Sequence, residues 1–297
     1  MKRHLLTILT QTPLHVGAGS SVGAIDQPIQ RERHTGFPVI PATALKGTFA
    51  DLWNDRSDGE KLARSSTGKW LFGEGSDSNA AAAGALLFSE ARLIAFPVRS
   101  AKGCFAWITC PLILERALRD GVISHSVPAE PKDQEAIFKT DGKLALDGSK
   151  VVLEEYCFNS TGAFPVGLAQ ELADLVDDPL VKSIAERLVI LSNGMMTHFV
   201  TTTCEIAQHV RINDETGTAM KGGLFNQENV PADTLFLAGI HATPSRVQSE
   251  LFKQKSSADA LTEFGSTIRE AALFQFGGDA STGLGFCGVT LIEREAK

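Results

Sequence analysis

The chain has 297 residues, 43% of them hydrophobic and 21% charged, with a formal net charge of −7 at pH 7. That length suits one large domain or two modest ones with a substantial core. The acidic surplus excludes a protein that coats nucleic acid indiscriminately, because such affinity comes from many Lys and Arg neutralising phosphates; a local basic groove stays open. No run of about 18 apolar residues offers a membrane span, and the interrupted stretch MKRHLLTILTQTPLHV does not read as a signal peptide. The five cysteines are scattered, odd in number and without a C-x-x-C pair, which suits reduced thiols in a cytosolic setting.

HLLTILTQTPLHV, rich in Leu, Ile and Thr, predicts a first strand ending near His15. GAGSSVGAIDQPIQ follows as a long loop holding a single acid, Asp26, with Arg31 and Arg33 just beyond it. After an extended FPVI, ATALKGTFADLW sets Leu45, Phe49, Leu52 and Trp53 at helical spacing, with Thr43 as the expected N-cap. Residues 54–83 predict short helix and loop. GALLFSEARLIAFPV and FAWITCPLIL alternate like strands, residues 120–150 form an excursion without periodicity, and VVLEEYCF reads as a strand. DPLVKSIAERLVILSN places Leu180, Ile184, Leu188 and Leu191 on one face of a predicted amphipathic helix.

A β-rich arm, MMTHFVTTTCEIAQHVRIN, turns at NDETGTAMKGG and returns along LFNQENVPADTLFLAGIH, predicting a projecting hairpin over residues 195–234. SSADALTEFGSTIREAALF follows as a helix with Leu261, Phe264, Ile268 and Ala272 in register, and Ser256 with Asp259 forms a capping pair. QFGGDASTGLGFCGVTLIE closes the sequence as a glycine-rich loop feeding a last strand. Strands and helices mix without strict βαβ alternation, so the expected class is α+β.

Gly283, Gly285 and Gly288 satisfy G-x-G-x-x-G, but a helix precedes that loop and a strand follows it, the reverse of a dinucleotide-binding unit. Its bare amides are instead expected to form an anion-binding nest.

Three features coincide: the first strand leading to HVGAG, the segment IPATALKGTFAD, and the C-terminal FGGDASTGLGFCGV. Together they resemble the RAMP superfamily of CRISPR-associated RNA-binding proteins. Asp26 within GAIDQP resembles, more narrowly, the repeated backbone subunit of the type III-B (Cmr) effector complex. The resemblance covers both ends and the arm and is weakest over residues 54–150. It implies a single domain over residues 1–297 with a modified ferredoxin-like (RRM-like) palm, insertions, and the 195–234 hairpin as a thumb.

It further implies a guide RNA as bound partner, complementary target RNA as substrate, further copies head to tail, other Cmr subunits and no membrane. The activity implied is metal-dependent endoribonuclease cleavage by ribose 2′-OH attack, leaving a cyclic phosphate, with a divalent Mg or Mn ion at Asp26. Asp26 is the expected catalytic carboxylate, assisted by His15 and Glu228. RNA-contacting positions are Thr43, Lys46 and Arg31, together with Gly277, Gly278, Ser281, Thr282, Gly283 and Gly285. Lys46, read as starting a helix, suits a bound phosphate. Met195, Met196, Phe199, Val200, Met220 and Phe225 would wedge between bases or pack into a neighbouring subunit.

Plainer alternatives stand beside these roles: an Asx turn for Asp26, a satisfied structural histidine for His15, and a solvated charged run for Arg31 and Arg33. At the level of the whole chain the rivals are a guide-holding subunit without nuclease activity and a free-standing RNA-processing endoribonuclease. The second usually relies on His or Tyr, and the single tyrosine, Tyr156, lies outside the recognised motifs.

Overall fold

The computed structural model describes residues 2–19, 23–55, 63–74, 82–271 and 273–295. Among them, no helix is long and apolar enough to cross a membrane. The fold is α+β around a twelve-stranded sheet. Its central part runs, strand against strand, from Phe286–Glu295 through Lys2–Thr10 and Leu235–Ala242 to Ala91–Ser100, every pair antiparallel. The sheet continues through Cys104–Thr109, Leu188–Ile190, Glu135–Phe138, Tyr156–Gly162 and Lys150–Leu153, where two of the pairings are parallel.

Two helices link strands of the central part. Ala42–Ala50 buries Leu45 and Phe49, and Ser257–Ala271 buries Phe264 and Ile268. Their apolar stripes meet in an aromatic cluster, with Phe49 edge-on to Phe264 at 5.3 Å and to Phe276 at 5.6 Å between ring centroids. The expected capping pair is present: the Asp259 N–H donates to Ser256 Oγ, and the Ser256 N–H donates back to Asp259 Oδ2 at 2.7 Å. Ala272, read as the last residue in register, lies outside the described residues.

Several expected elements differ. The first strand ends at Thr10, short of His15. Thr43 does not cap its helix: Pro41 holds the N-cap position, without a side-chain bond, and Thr43 lies exposed inside the helix. Lys46 sits mid-helix, so the argument from the positive end of the dipole does not reach it. CPLIL is not strand, because Pro111 opens a helix, Pro111–Arg119. VVLEEYCF divides into two strands at Glu154, whose φ of 50° makes the turn.

The helix expected over DPLVKSIAERLVILSN breaks into a short helix, Pro179–Lys182, a 3₁₀ turn and the strand Leu188–Ile190, which fills a slot between two other strands. Sheet pairing outweighs the helical spacing there. The opening of the expected arm is also not β. Asn193–Thr202 is a helix capped by Ser192 Oγ, which accepts from the Met195 N–H at 3.1 Å. Its hydroxyls at Thr201, Thr202 and Thr203 donate back to carbonyls one turn earlier, which lets a Thr-rich run stay helical. Met196, Phe199 and Val200 are fully buried there and cannot serve as wedges. The hairpin itself comprises Glu205–Ile212 and Ala219–Asn229, a two-stranded sheet separate from the main one.

Candidate functional site

The sheet register assembles the site. The first and last strands pair so that Thr10 faces Cys287, which sets the loop after one beside the loop before the other. The Gly285 N–H donates to the Pro13 carbonyl at 2.8 Å and the Gly278 N–H to the His15 carbonyl at 3.1 Å. Leu14 and Val230 exchange two backbone bonds, bringing in the root of the hairpin. Asp26, His15, Glu228 and the C-terminal glycine loop therefore meet at one junction, although they are far apart in sequence.

Glycine is required at two points of this junction. A Cβ at Gly277 would stand 2.0 Å from the His15 carbonyl oxygen, and one at Gly285 would stand 2.0 Å from the Phe276 oxygen; both residues have positive φ.

Asp26 is exposed and tied to the hairpin by its neighbours' backbone. Its N–H donates to Asn226 Oδ1 at 2.8 Å, and its Oδ2 accepts from the Asn226 N–H at 2.9 Å. Asn226 Nδ2 donates to the Ala24 carbonyl, and the Gln27 N–H donates to the Asn226 carbonyl, each at 3.1 Å. The loop thus lies along the hairpin as a further short strand, with Gln27 bridged to Gln227. Oδ1 of Asp26 takes no hydrogen bond among the described residues and is the atom available for chemistry.

Glu228 has the opposite setting. It is buried, its Oε2 accepts from the Ile29 N–H at 3.0 Å, and its Oε1 pairs with Arg31 at 2.5 Å. Arg31 also donates to the Gly36 and Val200 carbonyls, each at 2.8 Å, and to Cys204 Sγ at 3.3 Å. Four of its five N–H groups are thereby used inside the protein. Arg31 is thereby a rivet between the Asp26 loop, the Asn193–Thr202 helix and the hairpin root, with one N–H left for the expected phosphate contact. Glu228 likewise has one oxygen on Arg31 and the other on the Ile29 N–H. Burial pushes the Cys204 thiol beside them up to about 12, so it stays neutral.

His15 is buried, and its Nδ1–H donates to the Glu228 carbonyl at 2.7 Å. Because a carbonyl only accepts, this bond fixes the tautomer and leaves Nε2 as an acceptor in the neutral ring. Nε2 lies against Gly17, where a Cβ would come within 2.9 Å of it.

The C-terminal loop is braced more than expected. Gln275 Nε2 reaches the carbonyls of Phe276, Gly277, Gly278 and Leu284 at 3.1–3.3 Å. The amides of Gly278, Thr282, Gly283, Leu284 and Gly285 all donate to backbone carbonyls, which narrows the expected anion nest. Ser281 is exposed; the Thr282 hydroxyl turns back onto the Asp279 carbonyl. Thr43, Lys46 and Arg33 are exposed, and the helix carrying the first two touches the junction through the Thr48 hydroxyl, which donates to the Gln275 carbonyl at 3.4 Å.

Sequence reasoning missed Asn226, Gln227, Gln275 and Asp279. Gln227 is buried and its Nε2 donates to Asp279 Oδ2 at 2.8 Å, joining the hairpin root to the C-terminal loop. The signal available was the run NQEN, four polar residues ending a strand that continues into the apolar core.

Among the described residues, no group of three or more His, Cys, Asp or Glu side chains is placed to hold a metal. Asp26 offers one outward carboxylate oxygen, a hard donor of the type magnesium or manganese takes alongside substrate phosphate and water.

The sequence profile of the RAMP superfamily matches residues 7–288. The chain belongs to the RAMP superfamily. A relative within it, the CRISPR system Cmr endoribonuclease Cmr4 of Pyrococcus furiosus, is 32% identical over 302 residues, spanning 99% of this chain and 97% of the relative. The crystal structure of oligomeric Cmr4 from Pyrococcus furiosus superposes with a TM-score of 0.71 at 27% identity, covering 100% of both chains. A chain of the cryo-EM structure of the Type III-B Cmr-beta bound to cognate target RNA shares the fold, with a TM-score of 0.69 at 19% identity, covering 98% of this chain and 97% of that one. This RAMP chain therefore carries the α+β architecture of Cmr4 over its whole length.

Proposed function

We propose that this protein is a guide-RNA-binding backbone subunit of a type III-B effector complex and that it cuts complementary target RNA with Asp26. The likeness to Cmr4, an endoribonuclease, along the whole chain supports the assignment. So does a central sheet of four antiparallel strands crossed by two helices, which is the ferredoxin-like arrangement of a palm. The hairpin Glu205–Asn229 is the thumb, in a single domain spanning residues 1–297. Copies stack head to tail, the mode of contact that builds open helical arrays. Base pairing with the guide then carries the sequence specificity, as in other guided effectors.

The observation that carries the catalytic reading is the half-satisfied carboxylate of Asp26, exposed at the foot of the thumb with Oδ2 held and Oδ1 open. Oδ1 takes the proton of a ribose 2′-OH as the 2′ oxygen attacks the adjacent phosphorus. The 5′ oxygen leaves, taking a proton from water, and a 2′,3′-cyclic phosphate remains. His15 and Glu228 hold the loop and thumb root in register through their internal bonds, and Nε2 of His15 stays open to assist proton transfer. Asp26 is also the residue that would hold a magnesium or manganese ion, which would supply positive charge near the phosphate. The Gly277–Thr282 loop, through the exposed Ser281 hydroxyl and the backbone groups its internal bonds leave unused, supplies RNA-backbone contacts together with Thr43 and Lys46.

The test uses the assembled complex with guide, labelled target RNA and divalent metal. Asp26→Asn should bind target as the wild type does while cutting falls by about 10²- to 10⁴-fold, the range of a lost general base. Undiminished, regularly spaced cutting by the variant would remove Asp26 from the active site.

A further inference from the structure

Among the described residues, the carboxylate of Asp26 takes no bond from its own loop: what holds it is one residue of the thumb strand, two hundred positions away. Asn226 gives its backbone N–H to Asp26 Oδ2 and takes the Asp26 N–H on its own Oδ1, at 2.9 and 2.8 Å, while its Nδ2 fastens the Ala24 carbonyl. The pairing is reciprocal, side chain to backbone in both directions, as in a helix capping box, but it joins two remote segments. The bond to Oδ2 also decides which carboxylate oxygen faces outward.

We infer that Asn226 is a positioning residue for the cutting step, aiming Oδ1 of Asp26 and making the carboxylate move with the thumb strand. This rests on the reading of Asp26 as the cutting group. Its consequence is mechanical. Whatever RNA geometry the thumb imposes, the carboxylate keeps a constant offset from it, so cut position follows thumb position. A misplacement of about 1 Å costs on the order of a hundredfold in rate, so a clasp of this kind matters to catalysis even where it adds little to stability. Asn226 is only partly buried, so its replacement leaves no large cavity.

Two variants in the assembled complex test this. Asn226→Ala deletes the acceptor for the Asp26 N–H and the donor to Ala24, so the backbone N–H to Oδ2 remains but the loop that carries Asp26 loses the two side-chain bonds that fix its position on the strand. Guide binding, target binding and KM should hold while kcat drops by about a hundredfold. Asn226→Ser keeps a side-chain hydroxyl that can accept from the Asp26 N–H and should restore part of the lost kcat with KM unchanged. His15, Arg31, Glu228 and Asp279, the other charged or titratable groups of the junction, are unchanged in both variants.

Wild-type kcat in Asn226→Ala, with cutting abolished by Asp26→Asn, overturns this inference and leaves the assignment of Asp26 standing. Cutting that survives Asp26→Asn overturns that assignment itself. Should Asn226→Ala fail to assemble, Asn226→Ser, which loses the Nδ2 bond to Ala24, decides alone, and a wild-type kcat there overturns the inference.

Discussion

The two ends of the thumb hairpin are built on opposite principles. At its root, Gln227, Glu228 and Asn229 are buried polar residues, and the first two are bonded to the Asp26 loop or the C-terminal loop. Toward its outer end the same two strands expose Val210, Ile212, Met220 and Leu224, the last at 69%. Phe225, between the two, stacks on His209 at 5.1 Å and is only half-exposed. Buried polar groups that find partners fix a unique geometry, whereas exposed apolar ones gain only when something covers them. The root is therefore built to hold position and the outer end to receive a partner. Both belong to one hairpin, so a contact made at the outer end acts on a strand pair whose foot is bonded to Asp26, the proposed cutting group.

The sharpest way to break this contrast is at the root. Arg31→Met should leave Glu228 buried without its counter-charge, at a cost of about 3–5 kcal/mol. Adding Glu228→Gln should recover part of it, because a neutral amide still accepts from the Ile29 N–H and no longer buries a charge. Urea unfolding of the three proteins checks both steps. A loss below about 1 kcal/mol in Arg31→Met would mean that the ion pair is not what fixes the root.

That root was illegible in the sequence, for a physical reason. Arg31 bonds to Val200, Cys204 and Glu228, partners 169 to 197 positions away, and nothing local distinguishes such an arginine from a solvated one. The helix Ser257–Ala271 was legible because its stripe and its capping pair agree and both are local. Leu180, Ile184, Leu188 and Leu191 gave as clean a stripe, yet the Trp107 N–H takes the Arg187 carbonyl and the following residues enter the sheet. Asn193–Thr202 misled in the other direction: its Thr, Phe and Val residues favour strand, while Ser192 was the overlooked start signal. Asp26 and the two glycine loops were legible as motifs. That they face each other across Thr10 and Cys287 follows only from strand register.

Acid should loosen the other anchor of the Asp26 loop. Burial pushes the Glu32 carboxyl up, but the Thr35 hydroxyl and Arg116 outweigh it and hold it below the ordinary 4.5. A depressed folded pKa adds stability that is complete above the unfolded value and is lost as pH falls through the folded one. Glu171 behaves alike: burial raises it, Ser124 and His125 outweigh that, and it settles at about 2. Wild-type stability should therefore fall from about pH 4.5 toward 2. Glu171→Gln should flatten most of that limb and Glu32→Gln a smaller part, as read by thermal melting across pH. An unaltered limb in both variants would place the acid sensitivity elsewhere.

The smallest expected effect on stability carries the largest consequence for the contrast. Val210 and Leu224 face each other across the outer hairpin, 49% and 69% exposed. Val210→Ser with Leu224→Ser should shift folding by no more than about 0.5 kcal/mol, because neither side chain is covered by the protein's own core. In the assembled complex the same double variant should cut target RNA at irregular positions. The apolar faces that fix where the thumb seats would be gone, while Asp26, Asn226 and the root stay as they are. Gel mapping of the product lengths reads this directly. A regular cutting pattern at wild-type rate would mean that nothing seats on these side chains, and the outer hairpin would then be a lever without a load. A folding loss above about 1 kcal/mol would instead mean that the outer end takes part in the fold, and the division between the two ends of the hairpin would fail.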